Sequence, residues 1–323
     1  MQVNDFVQQL NTWGQHKVPF LFLIDFEWKK PIAWTIDQLD AEKMLFSLNG
    51  FTNALNQHRV DKNIYIKKNP ISREEYQHKF NTVYNHLSRG DSFLVNLTVK
   101  TAIELNRTLQ ELFYLSEAKY KCWLQNQCLF FSPETFIQIR DHKIYAYPMK
   151  GTIDASINNA REIILTNKKE LAEHITIVDL IRNDLSQVAS QVKISRFRYV
   201  EEITTHDKTL LQVSSEIMGE LPEHFHAKLG DILFTLLPAG SVSGAPKKKT
   251  CQIIQDAEGE DRGYYTGVFG YFDGENLDSG VAIRFIEQEG TSMYFRSGGG
   301  ITAQSRSEEE YVEAIQKIYV PIA

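Results

Sequence analysis

The stretch CLFFSPETFIQIRDHKIYAYPMKGT (residues 128–152) decides how the chain is read. Three short runs, Cys128 to Phe131, Thr135 to Arg140 and Lys143 to Tyr147, are rich in β-branched and aromatic residues and have strand length. Asp141-His142 fits a tight turn between the second and third runs, and so predicts a hairpin. Pro148 ends ladder pairing and Gly151 frees the backbone, so Lys150 is expected to project from a strand end. A lysine so placed is a candidate nucleophile, provided that its surroundings remove its proton. Glu134 opens the second run. If the hairpin forms, the two ends lie side by side, and Glu134 and Lys150 form either an acid and a nucleophile in one site or a surface ion pair.

Working outward, Phe20 to Ile24 reads as a buried strand and Asp37 to Ser47 as a helix. Ser72-Arg73-Glu74-Glu75 forms a capping box for a helix that ends at Gly90. Phe93 to Thr98 is strand-like and Ile103 to Leu115 helical. One long helix is expected over Asn158 to Leu185, with its centre, Ile175 to Ile181, apolar all round and buried. Strands are expected near Val192 to Ser195, Gln212 to Ile217, Gly267 to Phe272, Ser279 to Phe285 and Ser292 to Phe295. Helices fit Ala227 to Leu236, Lys247 to Asp256 and Glu308 to Tyr319. No linker, repeat or low-complexity tract divides the 323 residues, and the pattern reads as one large α+β domain over 1–323.

The composition is that of a globular protein with a real core, at 42% hydrophobic and 24% charged. A net charge of −6 argues against nucleic-acid binding. The apolar run Pro19 to Ile24 is far too short for a membrane span or a secretory signal. Three cysteines, Cys122, Cys128 and Cys251, have no metal-ligand spacing and an odd count, which points to a reduced, cytoplasmic protein.

Two helical stretches carry carboxylates three residues apart: Glu170 with Glu173, and Glu310 with Glu313 behind a second capping box at Ser307. Glu310, Glu313 and Lys317 fall on one edge of an apolar helix face. Such pairs suit Mg²⁺, which takes one or two carboxylates and keeps several waters, or they are solvated helix charge. Two glycine-rich turns, Gly240 to Lys247 and Ser297 to Gly300, are either anion sites built from bare amides or plain connections. The first is no Walker loop, since Ala245-Pro246 interrupts the required order. Arg284, inside an apolar run, lies on a solvated face or holds an anion.

Taken together these blocks resemble the chorismate-utilising enzymes, a family that includes component I of anthranilate and aminodeoxychorismate synthases and the isochorismate and salicylate synthases. The resemblance runs from about Ile71 to the C-terminus, behind a shortened part at 1–70. It rests on Gly90 to Leu97, Ser132-Pro133-Glu134, Lys150-Gly151-Thr152, Ile177 to Asp184, Gly240 to Lys247, Gly267 to Tyr271, Ile283-Arg284 and Gly298 to Ile301. It implies one domain of two packed, mostly antiparallel β-sheets flanked by helices, with chorismate bound on Mg²⁺. By family position, Glu173 and Glu313 would hold the metal, supported by Glu170 and Glu310. Substrate contacts would come from Gly151, Thr152, Ser215, Tyr265, Ile283, Arg284, Lys317 and the amides of Gly298, Gly299 and Gly300.

Within that family a lysine at position 150 is similar to the aminodeoxychorismate synthase branch, where anthranilate synthases usually have alanine. Members that add water carry a base lysine where this chain has Leu94. The resemblance therefore implies amination of chorismate at C4, toward 4-aminobenzoate and folate, with Lys150 bonding C2 and Glu134 protonating the leaving hydroxyl. No cysteine here sits on a nucleophile elbow, so a separate glutamine amidotransferase subunit would supply ammonia. The family's His-x-x-Ser reads Gln212 to Ser215 and its Ala-Asp-Ser reads Ala303 to Ser305, and a tryptophan site is not expected. The alternatives are an anthranilate, isochorismate or salicylate synthase, and, because of Gln212, a silent chorismate-binding subunit.

Overall fold

The computed structural model describes residues 2–55, 63–204 and 209–322. Two nine-stranded sheets form its frame, and every pairing given for them is antiparallel. The first sheet runs in the order Met149–Asp154, Thr209–Glu220, Lys143–Ala146, Thr135–Arg140, Leu277–Val281, Val268–Phe272, Phe20–Ile24 and Ile32–Thr35, with Ser190–Thr204 paired beside Thr209–Glu220. The second runs Gly244–Ala245, Leu94–Leu105, Ser292–Ile301, Phe285–Glu289, Cys128–Ser132, Tyr120–Leu124, Met44–Leu48 and Phe51–Thr52, with Ile66–Asn69 beside Leu94–Leu105.

The strand Phe20–Ile24 shows why the sheets pack. Side chains alternate across a strand, and all five residues here are buried. Leu21 and Leu23 face the other sheet, against Phe46, Tyr120, Cys122, Phe130 and Phe285. Phe20, Phe22 and Ile24 face helices, against Phe6, Leu10, Leu229 and Leu233. A strand covered on both faces reads as a continuous apolar run, not an alternating one. The outer face of the second sheet is covered in turn by Arg73–Ser88, Lys247–Glu258 and Ser307–Gln316, through Tyr76, Phe80, Ile253, Ile254 and Tyr311.

Two of the points where the chain passes from one sheet to the other are short and adjacent. One is Ser132 to Thr135 and the other Ala282 to Arg284. They are tied by the Val281 N–H donating to the Glu134 carbonyl (3.0 Å) and the Phe131 N–H to the Arg284 carbonyl (3.2 Å). Pro133 has no N–H for a ladder, and Arg284 has φ +54°. The expected strand over Ser279 to Phe285 is therefore two strands in different sheets, broken at this crossing.

Other expectations give way to tertiary pairing. Asp37 to Ser47 is not a helix: after a short 3₁₀ turn, Met44–Leu48 pairs with Tyr120–Leu124. Ile103 to Leu105 belongs to the strand Leu94–Leu105, and the helix is only Leu109–Leu115, opened by a Thr108–Glu111 capping box. The stretch over Asn158 to Leu185 divides at Asn167 into Ala160–Thr166 and Lys168–Leu185, with Ile175 about half exposed. Ser72 caps its helix by accepting from the Glu75 N–H. Ser307 caps nothing; Arg306 takes the N-cap position. Lys150 lies one residue inside a separate strand, Met149–Asp154, not at the end of the preceding one. Asp141 and His142, both at positive φ, make the expected hairpin turn.

At the centre, Arg262 and Glu258 form a pair only 1% and 2% exposed. Arg262 also donates to the carbonyls of Val242 (2.8 Å) and Asn96 (2.7 Å). Removing one partner of such a pair leaves an uncompensated buried charge. Arg262→Met should therefore cost about 3–5 kcal/mol of stability, measured by denaturant unfolding.

Candidate active site

Beside the two crossings is a cavity of about 470 Å³. Its walls come from segments far apart in sequence. Lys150, Gly151 and Thr152 come from one strand, Glu134, Ile283 and Arg284 from the crossings, and Gly298, Gly299 and Gly300 from the strand Ser292–Ile301. Tyr265, Glu170, Glu173, Glu310, Glu313 and Lys317 complete the expected set. One residue of that set stands apart: Ser215 is fully buried, and its hydroxyl is 2.7 Å from His174 Nε2 and accepts from the Arg198 N–H. Lining residues that the sequence did not single out as contacts include Asn96, Thr266, Arg296, Ser297 and Ser241. The only signal for them was membership in, or nearness to, a motif block.

Both acidic helices aim their pairs inward. Lys150 Nζ lies 2.9 Å from Glu173 Oε2. Lys317 Nζ lies 2.6 Å from Glu313 Oε1 and donates to the Gly298 carbonyl (2.8 Å). Ser305, not Ser307, holds Glu310, at 2.7 Å. The glycines make room for these groups. A Cβ on Gly151, which has φ +87°, would stand 3.2 Å from Glu170 Oε2; one on Gly299 would stand 3.4 Å from Glu310 Oε2 and 3.6 Å from Glu313 Oε1.

The run Gly298 to Gly300 is not a turn. It continues the strand, paired with Thr98, Leu97 and Asn96. In an antiparallel ladder successive residues bond to opposite sides, so only alternate amides of the run are turned toward the cavity. In the Gly240 to Lys247 loop the N–H groups of Val242 and Ser243 donate to the carbonyls of Ala239 (3.2 Å) and Gly240 (3.4 Å), and Lys247 is committed to Asp184 and to the Leu236 carbonyl, both at 2.8 Å.

Burial pulls the Lys150 ammonium pKa down, but Glu173, Glu170 and Glu313 outweigh it and hold the value above the ordinary lysine range. Burial raises the Glu134 carboxyl, against a hydrogen bond donated by the Ser241 hydroxyl and the charges of Arg284 and Lys150. In the free protein Lys150 is thus an ammonium ion, and Glu134 is biased toward its acid form. His174, behind the wall, is lowered to about 4 by burial, Arg198 and Lys150, and is neutral.

Three buried polar atoms on the lining have no partner: Arg284 Nε, Asn96 Oδ1 and Ser297 Oγ. Unsatisfied groups of this kind mark a place for a polar ligand. The Arg284 guanidinium also stacks over Tyr319, 5.1 Å from its ring centre, and suits an anion. Among the described residues, no three His, Cys, Asp or Glu side chains converge tightly enough to cage a metal. The donors facing the cavity are carboxylates on two walls, which fits a hard, water-keeping cation such as Mg²⁺ and not zinc or copper.

Known proteins resemble this chain over most of its length. The family described as chorismate binding enzyme matches residues 22–323, so the match begins well before the first motif block. An uncharacterised PabA-like protein of Pasteurella multocida is 50% identical over the whole of both chains. Aminodeoxychorismate synthase component 1 of Escherichia coli is 33% identical over 77% of this chain and 57% of its own length. Among solved structures, a putative 2,3-dihydroxybenzoate-specific isochorismate synthase of Bacillus anthracis superposes with a TM-score of 0.72 at 18% identity, over 98% of this chain and 87% of that one. That likeness concerns the fold.

Because a folded-state pKa above the unfolded value favours the protonated form, ionised Glu134 weakens the fold as pH rises through its raised value. Glu134→Gln should therefore melt above the wild type at about pH 8. The gap should close toward the unfolded carboxyl value of ~4.3, as followed by thermal melts across pH.

Proposed function

This chain belongs to the family of chorismate-binding enzymes, and within it we propose that it aminates chorismate at C4 to give 4-amino-4-deoxychorismate. The observation that carries the reading is one cavity lined by both Lys150 and Glu134, the first ringed by carboxylates and the second half-buried and biased toward its acid form. With its ammonium proton given up to solvent, Lys150 bonds C2, both ring double bonds shift, and Glu134 gives its proton to the departing C4 hydroxyl, which leaves as water. Ammonia then bonds C4 and sheds a proton, both double bonds return, and the C2–nitrogen bond to Lys150 breaks. Arg284 and Lys317 hold the substrate carboxylates, helped by Thr152, Tyr265 and the outward amides of the glycine run.

Glu173 and Glu313, supported by Glu170 and Glu310, are the residues to hold Mg²⁺. That cation would anchor the ring carboxylate and offset the negative charge that keeps Lys150 protonated. Leu94, 5% exposed and on the cavity wall, offers no base for activating water, which favours amination over isochorismate formation. Ammonia would come from a separate glutamine amidotransferase subunit, within the cytoplasmic route to 4-aminobenzoate and folate.

Incubation with chorismate, Mg²⁺ and ammonium should give aminodeoxychorismate, with Lys150→Ala slower by ~10²-fold or more. Anthranilate as the product, with Lys150→Ala unimpaired, would overturn the reading. When ammonia is withheld, intact mass should show a chorismate-derived adduct on the wild type and none on Lys150→Ala. The rate should fall on the alkaline side as Glu134 loses its proton, and Glu134→Gln should lack that limb.

A further inference from the structure

Two motif blocks reach the cavity only at Ile177, Ser241 and Val242, and the rest of each lies behind it: Ile177 to Asp184 and Gly240 to Lys247. The fold joins them through Asp184 and Lys247, 2.8 Å apart. Asp184 is 8% exposed and stands between two spaces. With Lys247 it lines a groove of about 680 Å³ that also takes in Lys29 and Asp261, both substantially exposed. On its other side it lines a chamber of about 30 Å³, which also includes Glu134 and Ser241. Those two residues line the active cavity as well.

The chamber has room for roughly two waters. Much of its wall is apolar, including Phe136, Ile137, Leu185 and Leu236, with the carboxyls of Glu134 and Asp184 and the Ser241 hydroxyl among its polar groups. A Cβ on Gly240 would come within 3.2 Å of Asp184 Oδ2, so glycine lets the loop carrying Ser241 lie against that carboxylate. Glu134 faces Ser241, Arg284 and Lys150; Asp184 faces Lys247. Burial raises both carboxyls even against these cations, so each can carry a proton.

We propose that Asp184, with Lys247 beside it, relays protons from the outer groove through the chamber to Glu134. This rests on Glu134 acting as the acid of the proposed reaction. With substrate in the main cavity, the front of Glu134 is covered, and the carboxylate left after proton transfer is refilled from behind. Chamber water gives Glu134 a proton and takes one from Asp184, which takes one from groove solvent. The proton taken in equals the one that attacking ammonia sheds on becoming an amine, so the net change is chorismate plus ammonia to product plus water.

The test is rapid mixing of the full chain with chorismate, Mg²⁺ and ammonium, following chorismate loss in the first and later turnovers and identifying the product. Asp184→Asn should keep the wild-type first turnover but slow steady turnover by ~10-fold or more, with partial rescue by added formate. Lys247→Met keeps Asp184 but removes the cation that lowers its pKa, and should move the alkaline limb of steady turnover to higher pH while leaving that of the first turnover, set by Glu134, in place. Equal slowing of both phases without formate rescue, or no slowing, overturns the relay. If Asp184→Asn does not fold, an unmoved limb in Lys247→Met overturns it. A wild type that consumes no chorismate removes the acid role and the relay together. Separated phases with another product support the relay and remove only the C4 amination.

Discussion

The buried Arg262–Glu258 pair is the constraint on which the rest of the structure depends. Two charges taken out of water are tolerated only where hydrogen bonds use up their remaining valence. Here Glu258 accepts from the backbone and hydroxyl of Thr98, and Arg262 reaches the carbonyls of Asn96 and Val242. Glu27 closes the group by accepting from the N–H groups of Arg262 and Gly263. The segments tied together are the edge of the second sheet, the loop after Gly240, and the turn before Tyr265. Each supplies part of the cavity wall, so the cavity takes its shape from a knot of buried polar bonds whose charged pair, Arg262 and Glu258, is not itself on the lining.

Around that knot the cavity departs from the rules that the rest of the chain obeys. It gathers five glutamates, two lysines and two arginines, and it leaves Arg284 Nε, Asn96 Oδ1 and Ser297 Oγ without partners. The four hydrophobic clusters that fill the rest of the molecule are built almost wholly of aliphatic and aromatic side chains. Conflicts of this kind collect where a ligand supplies the missing partners. The glycines belong to the same logic: they bring the backbone close to the carboxylates, and at Gly151 the positive φ and the 3.2 Å approach to Glu170 Oε2 both disfavour a side chain.

Much of the architecture was legible. The Ser72 cap, the Asp141-His142 turn and the run Phe20 to Ile24 act through neighbours in sequence, and the structure follows them, whereas Ser307 falls inside its helix and caps nothing. Errors arose where a distant partner decided. Met44–Leu48 has apolar residues compatible with either helix or strand, and Tyr120–Leu124 makes it a strand. Gly298 to Gly300 has turn composition, yet the strand Leu94–Leu105 extends it. Ser279 to Phe285 reads as one strand because nothing local marks the passage between sheets. Arg262, in Glu260-Asp261-Arg262, has the look of surface charge.

For the site, the sequence by itself determined the chemical inventory: a lysine before a Gly-Thr, an acid after Ser-Pro, carboxylates three apart on two helices, and an arginine in an apolar run. Helical and strand periodicity settle which of these share a face, because that is local geometry. Only the tertiary structure decided that they line one cavity, that Ser215 instead bonds His174, and that Lys247 is bound to Asp184. Contacts between segments far apart in sequence depend on how two sheets and their crossings pack, and burial and neighbouring charge, which set the protonation of Lys150 and Glu134, exist only once that packing is made.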